Sequence, residues 1–545
     1  MRTAHSVEDV RAAERALMAE LPEGALMQRA AAGLAAACAD LLGGVSGRHP
    51  LGRVYGSRIV LLVGSGDNGG DALYAGARLA RRGAGVTAVL LAPTRAHEGG
   101  LAALRSAGGW TVTADEAGPV IARADLVMDG IVGIGGHGGL RPDAARLAAL
   151  VRESGAAVVA VDLPSGIEAD TGEVLGQALR ADATVTFGTY KPGLLIDPAR
   201  SYAGAVRLVD IGLRLLPAGP ECEALQYADV AALLPRPGAA SDKYRRGVVG
   251  IAAGSATYPG AAVLAVAGAL RGGAGAVRYV GPAAREVLAR FPETLVSEGP
   301  PSAAGRVQAW AVGPGLGDDA ASVADVLAQD VPVLVDADAL RLADPALLRA
   351  RTAATVLTPH AGEAAALLGV PRASVESARL ASVRRLAASL ASTVLLKGAT
   401  TVVAPAGVAP GVVAPGVVPP PSAGGRGDGA DAGRDAGGGP VRVNPTGSPW
   451  LATAGSGDVL SGLCGALLAS GLSAVDAASV GAYLHGLAGR AAASPTREAA
   501  SGGAPVTGPG AASGGAPVTA SEVAEALPAV WRSVITHSGE HHELL

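Results

Sequence analysis

A chain of 545 residues is longer than one hydrophobic core usually serves, so two or more domains are expected. Its 44 basic and 48 acidic residues give a formal net charge of -4, and aromatic residues make up only 3%. This balance offers no footprint for nucleic acid, no polybasic membrane patch and no stacking platform for single strands, which leaves small-molecule chemistry as the expectation.

Met1 to Glu20 mixes Arg2, Glu8, Asp9, Arg11, Glu14 and Arg15 with small apolar residues and has no apolar h-region, so no signal peptide is expected. Cys38, Cys222 and Cys464 are too few and too scattered for a disulfide framework or a zinc site, and suit a reducing cytoplasm. Lys191, Lys243 and Lys397 are the only lysines among the 44 basic residues. Arginine has replaced lysine wherever it served, and the three survivors mark places where a compact ammonium could be required.

Residues 5–42 read as two helices, with Val7, Val10, Ala13 and Leu17, then Leu26, Met27, Ala30 and Leu34, at helical spacing. Arg58–Val63 has the unbroken apolar pattern of a buried parallel strand. Gly64-Ser-Gly-Asp-Asn-Gly-Gly-Asp71 follows it, and Ala72–Arg82 is predicted helical. Strand, glycine turn and helix in that order suit a nucleotide-phosphate loop, although neither GxGxxG spacing nor a Walker lysine is present. Further strands are predicted over Val86–Leu91, Leu126–Met128 and Ala157–Val161. The last two deliver Asp129 and Asp162 at their carboxyl ends, where open α/β sheets bind ligands; either aspartate could equally cap a turn.

Gly66-Asp-Asn-Gly-Gly-Asp71, Asp162-Leu-Pro-Ser-Gly166 and Phe187-Gly-Thr-Tyr-Lys-Pro-Gly-Leu194 resemble the motifs of the NAD(P)H-hydrate epimerase domain family. The resemblance implies a Rossmann-like fold with potassium held by Asn68, Asp129 and Ser165. It places Asp67, Asn68, Gly69, Gly70 and Asp71, with Gly133, Ile134, Gly135, Gly136, His137, Gly138 and Gly139, on the substrate phosphates, and Asp162 on the hydrated nicotinamide. Asp67 and Ala72 stand where Asn and Gly are expected, and His137 is unusual in its loop.

Pro217-Ala-Gly-Pro220 and Pro235-Arg-Pro-Gly238 mark a linker, with domains expected over 1–219 and 220–545. The uncharged run Val248–Leu270 is broken by Gly250, Gly254, Pro259 and Gly260 and reads as a strand, a turn and a helix over Ala261–Arg271, not as a membrane span. Gly313-Pro-Gly-Leu-Gly317, Asp336-Ala-Asp338, Thr358-Pro-His360 and Lys397-Gly-Ala-Thr-Thr401 each follow a predicted strand. In Thr453-Ala-Gly-Ser-Gly-Asp458 a nearly bare turn precedes a helix predicted over Val459–Leu468, so free backbone N–H groups could hold a phosphate or an oxyanion. Asp458 among those donors would repel a phosphate unless it takes the proton from an attacking hydroxyl; complementing the helix dipole is the equally weighted alternative.

This second series resembles the ADP- or ATP-dependent NAD(P)H-hydrate dehydratase domain of the ribokinase-like superfamily, and the two halves together resemble the bifunctional NAD(P)H-hydrate repair family. The expected fold class is α/β, a Rossmann-like N-terminal domain plus a ribokinase-like C-terminal domain. By this resemblance Ala261, Gly315, Gly317 and His360 line the hydrated cofactor with Asp458 at the reacting hydroxyl. Lys397, Gly398, Ala399, Thr400, Thr401 and Gly457 bind ADP, and Mg2+ is implied by the chemistry. The substrates would be NADHX and NADPHX, in a cytoplasmic homo-oligomer with no nucleic-acid or membrane partner. A vitamin-precursor kinase with an unrelated front domain, and a front domain acting only as a scaffold, are the competing readings.

Two stretches, about 404–439 and 495–519, are too poor in core-forming side chains to offset their ordering entropy and read as disordered insertions. Within the second, Ala500-Ser-Gly-Gly-Ala-Pro-Val-Thr507 recurs at 512–519. Ser521–Val534 reads as a closing helix with Ser521 as N-cap, and the three histidines of the tail as a solvated terminus or a weak metal site.

Overall fold

The computed structural model describes residues 1–43, 54–215, 219–407, 439–494 and 515–540. Most of the two stretches read as insertions lies outside these residues, as do two of the three tail histidines. Apart from Met1, the described residues form two compact units, Arg2–Cys222 and the part of the chain from Glu223 on.

The first unit contains strands β1 (Arg2–Ala4), β2 (Arg58–Val63), β3 (Gly85–Leu90), β4 (Trp110–Thr113), β5 (Leu126–Gly130), β6 (Ala157–Val161), β7 (Ala183–Phe187) and β8 (Ala205–Val209). Its parallel sheet runs β4-β3-β2-β5-β6-β7-β8. The order reverses at β2 and β5, and the crevice at their carboxyl ends is where a doubly wound sheet takes ligands. Apolar residues of β2 alternate between two cores: Ile59, Leu61 and Val63 pack with helix Ala25–Gly43, and Val60 and Leu62 with helix Pro142–Ser154. Ala25–Gly43 is long and apolar enough to cross a membrane by length and composition, but its Ala30, Ala31, Leu34, Ala35, Cys38, Ala39 and Leu42 are core residues of this unit.

Two differences from the sequence reading have physical causes. β4 is an exposed edge whose Trp110 is 74% accessible, so no buried apolar run announces it. The helix after β2 begins at Asp67, not Ala72. A Cβ on Gly69 would stand 2.4 Å from the carbonyl oxygen of Gly64, so the glycines bring the first helical turn against the strand end instead of forming a loop ahead of it.

After β9 (Cys222–Ala224), the second unit contains β10 (Val248–Ala252), β11 (Ala276–Val280), β12 (Leu295–Ser297), β13 (Ala309–Val312), β14 (Val333–Val335), β15 (Thr355–Leu357), β16 (Thr393–Leu396), β17 (Thr401–Ala404) and β18 (Val441–Asn444). From β18 the order is β18-β17-β16-β15-β14-β13-β10-β11-β12, parallel from β16 to β12, with β17 and β18 antiparallel at the edge. The switch point lies between β10 and β13. Helices Pro259–Arg271 and Ser456–Ala469 cover the sheet and touch backbone to backbone: a Cβ on Gly268 would meet the Val459 carbonyl, and one on Gly462 the Ala265 carbonyl. The closing helix spans Ala520–Glu540, and its cap is Thr519 instead of Ser521. The Thr519 hydroxyl accepts from the Glu522 N–H and the Glu522 carboxylate accepts from the Thr519 N–H, a reciprocal capping box.

Candidate active sites at two strand switch points

In the first unit a cavity of about 710 Å³ opens at the β2/β5 crevice. Asp67, Asn68, Gly133, Ile134, Gly135, Gly136, His137 and Gly139 line it, together with Arg11, Arg15, Arg95 and Arg141. The arginines escaped the sequence reading because they lie on three separate segments, Arg11 and Arg15 on one helix and Arg95 and Arg141 each elsewhere in the chain. Gly69, Gly70, Asp71 and Asp162 are buried behind this wall. Gly138 donates its N–H to Glu168, whose other carboxylate oxygen lies 2.9 Å from His137 Nδ1, so Glu168 fixes the second glycine loop.

Asn68 donates its amide to the Val161 carbonyl at 2.5 Å, which leaves its oxygen as the free end of the side chain. Asp129 is fully buried, accepting from the Ser165 hydroxyl at 2.7 Å and from the Ser165 and Ile131 amides. Burial pushes its carboxyl up to about 6 although those donors pull the other way, and no cationic side chain pairs with it among the described residues. A hard cation suits this donor set: oxygen ligands around a carboxylate that lacks a counter-charge.

Asp162 has a left-handed backbone, φ 65°, uncommon for a residue with a side chain. Its Oδ1 accepts from Lys191 Nζ at 2.5 Å, Thr186 Oγ1 at 2.9 Å and the Phe187 amide at 3.3 Å. Lys191 is 1% exposed and its ammonium also donates to Thr186 Oγ1 and the Phe187 carbonyl, so all three protons have acceptors. Burial raises the carboxyls of Asp71 and Glu14, and the Asp162 charge raises both further. Glu14, which also lines the cavity, is a second carboxyl the sequence did not single out.

In the second unit, adjacent strands β14, β15 and β16 bring together Asp336, Glu363 and Lys397. Lys397 Nζ donates to Asp336 Oδ1 at 2.8 Å and lies 3.9 Å from Glu363 Oε2. Ser461 in the helix after the glycine turn donates to Asp336 Oδ2 at 2.5 Å. Burial alone would raise the Asp336 carboxyl, but Lys397 and Ser461 hold it below its ordinary range. Neither Asp336 nor Ser461 was singled out as a site residue; an aspartate directly after a strand was the available signal. Gly455, at φ 85°, starts the helix at Ser456, with Gly457 and Asp458 in its first turn. His485, buried and pushed down to about 4 by desolvation, donates from Nε2 to the Ser456 carbonyl and pins that turn.

Burial pushes the Asp458 carboxyl up to about 7, with the Asp336 charge adding and Lys397 opposing. Gly315 lies against Ala261, since a Cβ there would come within 2.6 Å of the Ala261 Cβ, and the Gly317 amide donates to Asp338. His360 caps helix Ala361–Leu368 through Nδ1 while its ring stays 57% exposed. Gly398 and Ala399 form an exposed turn after Lys397, whereas Thr400 is buried and Thr401 begins β17.

The raised Asp458 carboxyl has a stability consequence with a definite sign. Its folded value lies above the ordinary 3.8, so the stability it contributes is complete below that value and is lost as pH rises toward about 7. Asp458→Asn should therefore melt at the wild-type temperature near pH 4 and above it at pH 8, as read by thermal denaturation of the nucleotide-free protein. A melting difference independent of pH would contradict this environment.

Residues 23–193 match the family model described as YjeF-related protein N-terminus, and residues 249–429 and 435–501 match that described as NAD(P)H-hydrate dehydratase. The bifunctional NAD(P)H-hydrate repair enzyme Nnr of Mycobacterium leprae is 48% identical over 518 residues, covering 93% of this chain and 97% of its own. The protein of the same name from Moorella thermoacetica is 35% identical, covering 82% and 85%. An ADP/ATP-dependent NAD(P)H-hydrate dehydratase from Bacillus subtilis, crystallised with ATP and Mg2+, aligns with 57% of this chain and 97% of its own at 27% identity and a TM-score of 0.43. With relatives matched across nearly their whole length and both family models in chain order, the chain belongs to the bifunctional NAD(P)H-hydrate repair enzymes.

Proposed function

We propose that the first unit interconverts the R and S epimers of hydrated NADH and NADPH, and that the second dehydrates the S epimer at the expense of ADP. The observation that carries the second assignment is Asp458, a carboxyl raised to about 7 in the first turn of a helix whose Gly457 lies beside the Lys397 ammonium. A base tuned near neutral pH suits removal of the C6 hydroxyl proton. As that oxygen bonds to the terminal phosphorus of ADP, AMP departs; the phosphate then leaves C6, C5 gives up a proton and the ring double bond returns. Lys397, held in place by Asp336, and the Gly455–Gly457 turn stabilise the charge of the transferring group. Magnesium, arriving with the nucleotide, would neutralise the phosphates. Ala261, Gly315, Gly317 and His360 border the hydrated ring, and Gly398, Ala399, Thr400 and Thr401 the nucleotide.

In the first unit Asp162 assists proton transfer at the carbinolamine, oriented by Lys191 and Thr186. The arginines around the cavity hold the substrate phosphates with the Asp67–Asn68 turn and the loop from Gly133 to Gly139. Asn68, Asp129 and Ser165 would hold a potassium ion, which would supply the counter-charge that Asp129 lacks among the described side chains. Epimerisation by dialysed protein should accordingly depend on a monovalent cation, with potassium buffer restoring the rate. Equal rates with and without potassium would remove the ion from this site. Incubating mixed epimers with ADP and following the dihydronicotinamide absorbance tests the whole reading; a phosphorylated product that accumulates without recovered absorbance would favour a kinase.

A further inference from the structure

The second unit has another concave site at the opposite end of its sheet from Asp336, Lys397 and Asp458. A cavity of about 340 Å³ lies at the amino ends of β10 and β11, and Arg236, Arg245, Arg246, Arg271 and Arg532 line it with Trp531. We infer that this cavity binds a nucleoside diphosphate, its phosphates on the arginines and its base on the Trp531 indole.

Charge is the first argument. The lining contains no Asp or Glu, in a chain whose net charge is -4. The cavity's positive charge is only partly answered by the protein. Asp242 sits 3.9 Å from Arg245, both exposed. Helices Pro259–Arg271 and Ser456–Ala469 end at the cavity, at Gly272 and Ser470, and each carboxyl end carries roughly half a negative charge. Together these offset about two of the five guanidinium charges. Arg246 donates to the Gly273 and Ala274 carbonyls, whereas Arg271 and Arg532 have no ion pair among the described residues. Guanidinium groups gathered around one concave site favour an incoming polyanion, and their planar forks suit phosphate oxygens.

Shape and chemistry supply the second argument. Half-buried Trp531 lies beside Arg532 and packs against Gly273, whose Cβ position would be 3.4 Å from the indole. Gly273 has φ 89°, so its turn is built for glycine and keeps a side chain off the ring. An indole next to a phosphate-binding cluster offers a stacking surface for a base. The volume is at the small end of the range for ligand sites and suits one nucleotide, not a dinucleotide.

The test is calorimetric titration of the full chain with ADP and, separately, with inorganic pyrophosphate. Wild type should bind one more equivalent of ADP than the double variant Arg271→Glu, Arg532→Glu, while the variant keeps the wild-type dehydration rate. Arg271→Gln with Arg532→Gln, which removes charge without reversing it, gives the same loss if charge reversal lowers the melting temperature. Trp531→Leu should weaken ADP at this site by roughly tenfold or more and leave pyrophosphate unchanged. Equal stoichiometry in wild type and in a folded arginine variant would overturn the site. Binding of pyrophosphate as tightly as ADP, with no effect of Trp531→Leu, would overturn its assignment to a nucleotide.

Discussion

Replacing Asp458 by Asn is expected to lower the ADP-dependent dehydration rate by roughly 100- to 10,000-fold, the span that a positioned general base contributes. The amide keeps the shape of the side chain and leaves Lys397 paired with Asp336 and close to Glu363, so the nucleotide cradle stands. ADP should bind at least as well, because a carboxylate has been removed from the first turn of a helix, where the dipole favours phosphate. A fall in kcat with ADP affinity retained separates a lost base from a collapsed site. The wild-type rate should also fall on the acid side of about pH 7 as Asp458 becomes protonated, and the residual rate of Asp458→Asn should lack that limb. Dehydration by Asp458→Asn at the wild-type rate would make Asp458 a helix-dipole partner only.

How much of this was legible in sequence depends on the kind of interaction involved. Both sheets were readable because buried parallel strands such as Arg58–Val63 and Val248–Ala252 are continuous apolar runs, and because glycine or aspartate follows their carboxyl ends. The half-exposed strand Trp110–Thr113 carries no such mark. Lysine scarcity pointed to two ammonium groups that each pair with an aspartate, Lys191 fully buried and Lys397 partly so. It misled at Lys243, which is exposed and only lies near the Tyr244 ring. Partners joined across long sequence separations were invisible. Asp336 with Ser461, Glu168 with the Gly138 amide and His485 with the Ser456 carbonyl each come from segments whose proximity only the sheet order creates.

For Asp162→Asn, the pure S epimer should still be dehydrated with ADP, whereas repair of the R epimer should slow to its spontaneous interconversion rate. Asparagine is the informative substitution because it tolerates the left-handed φ of 65° better than most residues, so the turn after β6 is retained. The substitution does leave the buried Lys191 ammonium without its anion, and breaking a buried pair from one side costs about 3–5 kcal/mol. Lower stability of the first unit is therefore expected alongside lost activity. Adding Lys191→Met removes the second charge as well and should recover most of the melting temperature without recovering epimerisation. In a mixed-epimer time course with ADP, wild type should convert everything in one phase. Both variants should show a fast S phase followed by a slow one whose rate does not depend on protein concentration. A single fast phase from Asp162→Asn would mean that proton transfer is carried elsewhere in the cavity, with Glu14 the next carboxyl to test.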